Sequence, residues 1–260
     1  MRRQIHQMMQ FNGKRVLVTG GSRGSGAAIA RAFAGQGARV AINYRSGQAA
    51  AKACVGELTG KGHVTLQADV SDPGQAASLV DDAIAALGGL DIVVNNAGVF
   101  LSHPITSTKT DDWNMAWRQT IDTNLIGPAA VCHRAAQHMM RSRGGRIVNV
   151  SSRGAFRGEP DGPAYGASKA GLNAMSQSLA VALAPHNIFV GVVAPGFVET
   201  DMAAELLEGA EGDAIRAQSP LGRVARPEEV AHAVLFLASD GAEFSTGTII
   251  DVNGASYLRS

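Results

Sequence analysis

Two residues in the middle of the chain are spaced for proton chemistry. Tyr165 and Lys169 frame the run Tyr165-Gly166-Ala167-Ser168-Lys169, which opens a stretch of small residues reaching to about Ala184. Residues four apart on a helix share a face, so the ammonium would lie beside the phenol ring. A free phenol titrates near pH ~10 and is a poor base at neutral pH. A neighbouring cation favours the phenolate, and a second positive charge would add to the effect. Bringing the phenol to neutrality takes roughly 3 pH units, or about 4 kcal/mol of differential stabilisation. In a chain with this number of tyrosines and lysines the spacing arises only ~0.06 times by chance, which argues against an incidental surface pair.

A second motif supplies the missing charge. Thr19-Gly20-Gly21-Ser22-Arg23-Gly24-Ser25-Gly26 follows an apolar run and precedes the helix-like segment Ala27–Gln36. Without Cβ atoms, such a loop lets backbone N–H groups approach a pyrophosphate at a helix N-terminus. The bare spacing is weak in a chain with 31 glycines. Its place after the first strand and before a helix makes it a dinucleotide site. An oxidised nicotinamide is then the second cation. The chemistry implied is hydride transfer to or from a carbonyl carbon, with Tyr165 carrying the proton.

Charge distribution points to which dinucleotide. The first acidic residue is Glu57, and the 56 residues before it hold nine Lys or Arg, so a net +1 chain splits into a basic start and a remainder of −8. Enzymes selecting NAD place an acid roughly 20 residues past the glycine loop, on the ribose 2′-hydroxyl. Here the second apolar run ends Ala41-Ile42-Asn43-Tyr44-Arg45-Ser46, with Tyr44 where that acid would stand. Arg23 and Arg45 flank the place and suit a 2′-phosphate, so NADP(H) is the expected cofactor.

The elements that must position these groups are short, mostly β-branched runs: Arg15–Thr19, Val40–Asn43, Val64–Gln67, Ile92–Asn95, Ile147–Val150, Phe189–Val193 and Thr248–Val252. None alternates polar with apolar, as befits strands buried on both faces of a parallel sheet. Between them Ala76, Leu79, Val80, Ala83, Ile84 and Leu87 mark one helical face, with Asp72-Pro73 to start it and Gly88-Gly89 to stop it. The pattern predicts an α/β fold: a single-domain, doubly wound parallel sheet of about seven strands with helices on both faces. Residues 1–11 read as a flexible N-terminal tail and 12–260 as one dinucleotide-binding and catalytic domain.

The composition excludes several classes. No apolar run approaches the ~20 residues of a membrane span, and the start lacks the apolar stretch of a secretory signal. Cys54 and Cys132 are the only cysteines, too few for a disulfide framework or a thiolate metal site, so a cytoplasmic setting is expected. The balanced charge gives no reason to expect nucleic acid or a membrane surface as partner, and the seven histidines show no metal spacing. His103, His186 and His232 read as loop or surface residues, and Trp113 and Trp117 as helix packing. The carboxylates between Glu199 and Asp213 read as a mobile polar lid over the substrate.

Taken in order, Thr19–Gly26, Asp69-Val70, Asn95-Asn96-Ala97-Gly98, Asn124, Ser151-Ser152, Tyr165-x-x-x-Lys169 and Pro195-Gly196-Phe197-Val198-Glu199-Thr200 resemble the short-chain dehydrogenase/reductase family, from about Asn12 to Gly254. Pro220-Leu221-Gly222-Arg223 and the segment from Arg226 resemble the β-ketoacyl carrier-protein reductases within it. The resemblance implies roles. Ser152 would bind the substrate carbonyl, Tyr165 would donate or accept the proton, and Lys169 would hold the nicotinamide ribose. Asn124 would anchor a water linking Lys169 to solvent. Gly20, Ser22, Gly24, Ser25 and Gly26 would cradle the pyrophosphate, with Arg23, Tyr44, Arg45 and Ser46 at the adenosine ribose. Asp69 and Val70 would meet the adenine, Asn96, Ala97 and Gly98 would line the cofactor, and Pro195, Gly196, Val198 and Thr200 would flank the carboxamide. Two departures stand out: Ser25 replaces the usual aliphatic residue, and Asn253-Gly254-Ala255 stands where Asp-Gly-Gly is typical.

The family usually forms tetramers through helices matching Asn124–Met140 and Pro163–Ala184, and Ala167, Ala170, Gly171 and Ala174 are small enough for close helix approach, so a homotetramer is expected. The function expected is NADPH-linked reduction of a small-molecule ketone, or the reverse oxidation of an alcohol. One alternative is a 3-oxoacyl-[acyl-carrier-protein] reductase: Arg143 matches one of that group's basic docking positions, but His186 stands at the other, and the acidic lid would repel an acidic carrier. A dinucleotide-sensing regulator without turnover is the alternative of another class, and it has no need of Ser152, Tyr165 and Lys169 together.

Overall fold

The computed structural model describes residues 9–200 and 204–259. Its strands are β1 (Arg15–Val18), β2 (Arg39–Tyr44), β3 (Val64–Gln67), β4 (Ile92–Asn95), β5 (Gly145–Val150), β6 (Ile188–Pro195) and β7 (Ile249–Val252). All pair in parallel into one seven-stranded sheet, ordered β3-β2-β1-β4-β5-β6-β7. The seven apolar runs are the strands, two of them to the residue and the rest displaced at an end by one or two residues.

The helices are α1 (Gly24–Gly35), α2 (Gln48–Gly56), α3 (Pro73–Leu87), α4 (Thr110–Ile121), α5 (Gly127–Arg141), α6 (Pro163–Leu183), α7 (Gly209–Ala217) and α8 (Pro227–Ala238). They cover both faces of the sheet. One apolar core joins Ile29 and Phe33 of α1 and Val230 and Val234 of α8 to Val16, Val18, Ile42, Val94 and Val148. The other joins Leu79, Val80 and Ala83 of α3 and Val131, Ala135 and Met139 of α5 to Leu17, Val93, Ile147 and Val190. Alternate strand residues feed alternate cores, which is why no strand alternates in polarity. The winding reverses between β1 and β4, so the crevice at their carboxyl ends is where such sheets take ligands.

The start chemistry of α3 is as expected: the Asp72 carboxylate accepts from Gly74 N (2.8 Å) and Gln75 N (3.0 Å), Pro73 follows, and Gly88 closes the helix at φ 74°. Elsewhere the expectations need correction. α1 begins at Gly24 rather than Ala27, so the last loop glycines form its first turn, which carries no acidic residue and no side-chain cap. The tail was drawn too long. Phe11 is 1% exposed and packs edge-on against Phe33 at 4.8 Å, because burying an aromatic ring under α1 outweighs the freedom of the chain there. Residues 1–8 lie outside the described residues. No described helix is long and apolar enough to cross a membrane.

Candidate active site

The glycine loop is held by close backbone approach. Gly20 has φ 61°, and a Cβ on it would lie 3.0 Å from the Cα of Ala97. On Gly26 a Cβ would fall 2.2 Å from the carbonyl oxygen of Gly20 and 2.6 Å from Asn96 Nδ2. Asn96 belongs to this scaffold: its Nδ2 donates to the carbonyls of Thr19 (3.0 Å) and Gly20 (3.1 Å). The Thr19 hydroxyl accepts from the N–H groups of Asn96 and Ala97, both at 3.0 Å. On the other side Asn43 accepts from Gly20 N at 3.2 Å and from Gly21 N at 3.0 Å. The loop is thus bolted to β2 and β4, with the uncapped first turn of α1 facing the crevice and Ser22 and Ser25 partly exposed on it.

At the outer rim Arg23, Arg45 and Ser46 are exposed, whereas Tyr44 is 4% exposed. Tyr44 was expected at the ribose; as the last residue of β2 it is packed into the protein, which leaves the two arginines as the charged groups there. Arg45 Nη1 lies 4.0 Å from Asp69 Oδ2. The other Asp69 oxygen accepts from Ser71 N (3.0 Å) and Oγ (2.7 Å), so this residue shapes its turn as well as the crevice. Val70 is buried beneath α5, its carbonyl 2.1 Å from where a Cβ on Gly127 would sit. Across the crevice, Gly196 N donates to Val252 O (3.0 Å), and Val198 bridges to Ala225. Thr200 closes onto the loop, its Cγ2 3.2 Å from where a Cβ on Gly24 would be.

The proton-handling groups meet at the carboxyl ends of β4 and β5. Ser152 follows β5, and its Oγ accepts from Gly154 N at 3.0 Å. Tyr165 lies in the first turn of α6, with Lys169 Nζ 5.8 Å from its ring centroid. Lys169 is 4% exposed and donates to Val150 O at 2.9 Å. Burial pushes its ammonium down to about 8, so it is still mainly charged at neutral pH. Burial also pushes the Tyr165 phenol above its ordinary value, the Glu159 charge adds to this, and the Ser152 hydroxyl works against it. A neighbouring cation alone would bring the phenol down toward neutrality; in the protein by itself desolvation wins, and Tyr165 is a neutral acid.

Asn124 sits in a π turn, Asp122–Ile126, that links α4 to α5. Its side chain is fully consumed, Oδ1 accepting from Val99 N (2.9 Å) and Nδ2 donating to Val99 O (2.9 Å) and Ser168 Oγ (3.1 Å). Gly98 lies between it and Lys169: a Cβ there would be 3.3 Å from Asn124 Oδ1 and 3.4 Å from Lys169 Nζ. A π turn disturbs the backbone hydrogen-bond ladder at the residue facing the site, a common device at functional positions.

Several supporting residues carry no local sequence signal. His103, read as a loop residue, is 1% exposed; its Nδ1 meets Leu101 O (2.7 Å) and its Nε2 accepts from Ala164 N (3.2 Å), clipping the start of α6. It packs edge-on against Trp113 at 5.3 Å, so that tryptophan is helix packing as expected. Under the site a buried chain runs from Asn95 Nδ2 to Asn149 Oδ1 (2.8 Å), and from Asn149 Nδ2 to Ser176 Oγ (2.8 Å). Arg153, next to Ser152, is buried and donates to Ser256 Oγ and Gln218 Oε1, both at 2.6 Å. It borders a cavity of about 130 Å³ shared with Phe197, Ile215 and Ser219. Only the spatial fold reveals these partners. The expected lid holds a short turn at Glu205–Leu207 and α7; residues 201–203 lie outside the described residues. Arg143 and His186 are exposed and precede β5 and β6, at the end of the sheet opposite Tyr165.

A sheet with this strand order, carrying a glycine loop at its switch point, defines a dinucleotide-binding fold. Comparison with known proteins gives the family. The model described as enoyl-(acyl carrier protein) reductase matches residues 20–255. The 3-oxoacyl-[acyl-carrier-protein] reductase FabG of Escherichia coli (strain K12) is 39% identical over 250 residues, covering 96% of this chain and 100% of that protein. FabG of Chlamydia trachomatis serovar D is 38% identical over 244 residues, 93% of this chain and 96% of its own. Among solved structures, a short chain dehydrogenase from Burkholderia cenocepacia J2315 in complex with NADP superposes with a TM-score of 0.85 at 36% identity, covering 95% of this chain and 99% of that one. A dehydrogenase/reductase from Sinorhizobium meliloti 1021 gives 0.88 at 32% identity, covering 98% and 100%. The chain belongs to the short-chain dehydrogenase/reductase family. It is an oxidoreductase acting on CH–OH and keto groups.

Proposed function

We propose that this enzyme reduces a small-molecule ketone to a secondary alcohol, and can run the reverse oxidation, with NADP(H) as cofactor. The observation that carries the reading is the convergence of Ser152, Tyr165 and Lys169 beside a crevice whose glycine loop leaves no room for side chains. The residues present fit a dinucleotide diphosphate: Gly20, Gly24 and Gly26 form a Cβ-free cradle, the first turn of α1 has no acid, and Arg23 and Arg45 stand exposed at the rim. The Burkholderia relative, in complex with NADP, supports the same cofactor. When bound, NADPH supplies the hydride.

This chain's own residues do the rest. The Ser152 hydroxyl donates to the ketone oxygen and fixes it beside Tyr165. The raised phenol of Tyr165 holds its proton until negative charge develops on that oxygen, then donates it. Lys169, charged at neutral pH, stabilises the phenolate left behind. Asn124 keeps Gly98 and the first turns of α6 in place around Lys169. A neutral phenol suits reduction, in which the protein gives up a proton.

The FabG relatives favour a second reading, reduction of 3-oxoacyl groups on a carrier protein. Arg143 and His186 bear on it. They sit at the far end of the sheet, so a carrier held there could offer its acyl group only to another copy of the chain. The proposed homotetramer would provide one, with the exposed Ala167, Ala170 and Ala174 of α6 as its small-residue face; light scattering tests it. A cytoplasmic setting remains part of the proposal, and both cysteines are buried as free thiols.

The experiment is Tyr165→Phe. Removing the phenol oxygen alone should lower kcat by a factor of about 10²–10⁴ and leave cofactor affinity nearly unchanged. Wild-type turnover in the purified variant would overturn the mechanism.

A further inference from the structure

Of the two carboxylates between Ser152 and Tyr165, Asp161 is exposed and Glu159 is partly buried. The Glu159 side chain lies against two glycine backbones. A Cβ on Gly154 would lie 2.8 Å from Glu159 Oε1, and one on Gly166 would lie 4.0 Å from its Cγ. Gly154 is the residue whose amide donates to the Ser152 hydroxyl, and Gly166 follows Tyr165. Glu159 therefore rests directly on the two backbone segments that carry the proton-handling pair, and both are glycine where it rests.

Among the described residues its carboxylate accepts no hydrogen bond and forms no ion pair within 4.0 Å. The charged and titratable groups that act on it are Arg157 and Arg153, then Asp161, and it acts in turn on Tyr165. Arg153 is spoken for by Ser256 and Gln218. Neither carboxylate oxygen is sealed from solvent, so the acceptor is open to water and to an incoming substrate group alike. The phenol ring also has an apolar neighbour. Phe100 packs edge-on against the Tyr165 ring at 5.3 Å and stays 40% exposed.

We propose that Glu159 is a specificity-determining residue that accepts a hydrogen bond from the substrate, selecting ketones that carry a hydroxyl or amino donor near the carbonyl and an apolar group on the Phe100 side. The inference rests on the ketone-reductase reading and names the substrate class of that site. A site that bonds a substrate donor discriminates against the analogue lacking it, because water on the acceptor is then displaced without replacement. Ketones with a free carboxylate next to the carbonyl are excluded by charge. Burial raises the Glu159 carboxyl, so its preference for a donor fades as the pH falls, and begins to fade at a higher pH than for a free carboxylate.

The test uses four ketones of matched size with NADPH: hydroxyketone, aminoketone, unsubstituted ketone and β-keto carboxylate. The wild-type ratio of kcat/KM between donor-bearing and unsubstituted ketones should be about tenfold or more. In Glu159→Met, which keeps the volume but removes the acceptor, that ratio should collapse, and Glu159→Gln, which keeps one amide acceptor, should keep part of it. A ratio near one in the wild type, or one preserved in Glu159→Met, overturns the inference while ketone reduction itself stands. A second readout needs no turnover. Near-ultraviolet titration of the cofactor-free protein, with Tyr165→Phe as reference, should place the Tyr165 phenol lower in Glu159→Gln than in wild type. An unmoved phenol overturns the placement of Glu159. Failure of every ketone to consume NADPH, with that titration shift present, removes the proposed function and leaves the electrostatic coupling intact.

Discussion

The two walls of the crevice are built on different principles. The cofactor wall, from β1 through β4, is backbone against backbone: the Gly20 carbonyl under Gly26, Ala97 against Gly20, and Asn96 and Asn43 bonding to main-chain groups of the loop. The substrate wall, built from Ser152 to Gly162 with Phe100, Phe197 and Gln218, is side chain against side chain: Arg153 on Gln218 and Ser256, Phe100 on Tyr165, and Glu159 without a hydrogen-bond partner among the described residues. Backbone packing tolerates almost no substitution and serves one ligand shape. Side-chain packing can be rewritten without moving the scaffold, which is how one fold serves many substrates.

The sharpest way to break the comparison is to add one methyl group to the cofactor wall. Gly26→Ala puts a Cβ 2.2 Å from the Gly20 carbonyl oxygen, and that backbone is pinned by the Gly21–Asn43 hydrogen bond of 3.0 Å. Overpacking of this kind costs about 1–3 kcal/mol, so NADPH affinity should fall by roughly five- to a hundredfold, with a lower Tm. Gly35→Ala in the same helix is the control, since a Cβ there meets nothing within 4 Å and should be neutral or slightly stabilising. Equal effects of the two, in cofactor titration and thermal melting, would show that the close packing of the loop is immaterial.

A smaller effect is expected at the rim, where the cofactor wall does rely on side chains. Arg23→Ala with Arg45→Ala should abolish a preference for NADPH over NADH in kcat/KM, each arginine carrying about 1.5–3 kcal/mol toward the 2′-phosphate. Arg45 must turn from Asp69, but a 4.0 Å contact between side chains 55% and 34% exposed offers little resistance. Maximal rate at saturating cofactor should be spared. Equal use of both cofactors by the parent enzyme would remove the basis of the assignment.

The same division explains what could be read from the chain. Seven apolar runs, the Asp72-Pro73 helix start and the glycine loop are local signals, and each fell within a few residues of its place. Tyr165 and Lys169 were legible because a helix converts spacing into proximity. His103, Asn149 and Arg153 were not, since each draws its meaning from a partner 27 to 103 residues away. Tyr44 misled for a related reason: position along β2 locates a residue at the crevice, but not whether its side chain turns into the core. The phenol of Tyr165 shows the limit for electrostatics, because the sequence displays the neighbouring cation and hides the burial that opposes it.

The smallest effect tests how the substrate wall is anchored. Ala255 adopts φ 59°, one of two described non-glycine residues at positive φ. The other, Asn187 at φ 60°, offsets the strain by donating from Nδ2 to Arg143 O at 2.9 Å. Alanine has no such recourse, and the left-handed region costs it roughly 1–2 kcal/mol. Part of that would be returned to the flexibility of a glycine in the unfolded chain, so Ala255→Gly should stabilise by about 0.5–1 kcal/mol and raise Tm by about 1–4 °C. The turn presents Ser256, whose N–H donates to Asn253 O at 3.1 Å and whose hydroxyl takes the Arg153 guanidinium at 2.6 Å. Relieving strain there should leave cofactor affinity nearly unchanged, since of the cofactor residues only Gly196 lies against this turn. If Tm does not rise, the strained alanine is not a stability cost. If Tm rises and the KM for ketone rises with it, the strain is part of what holds Arg153 in the substrate wall.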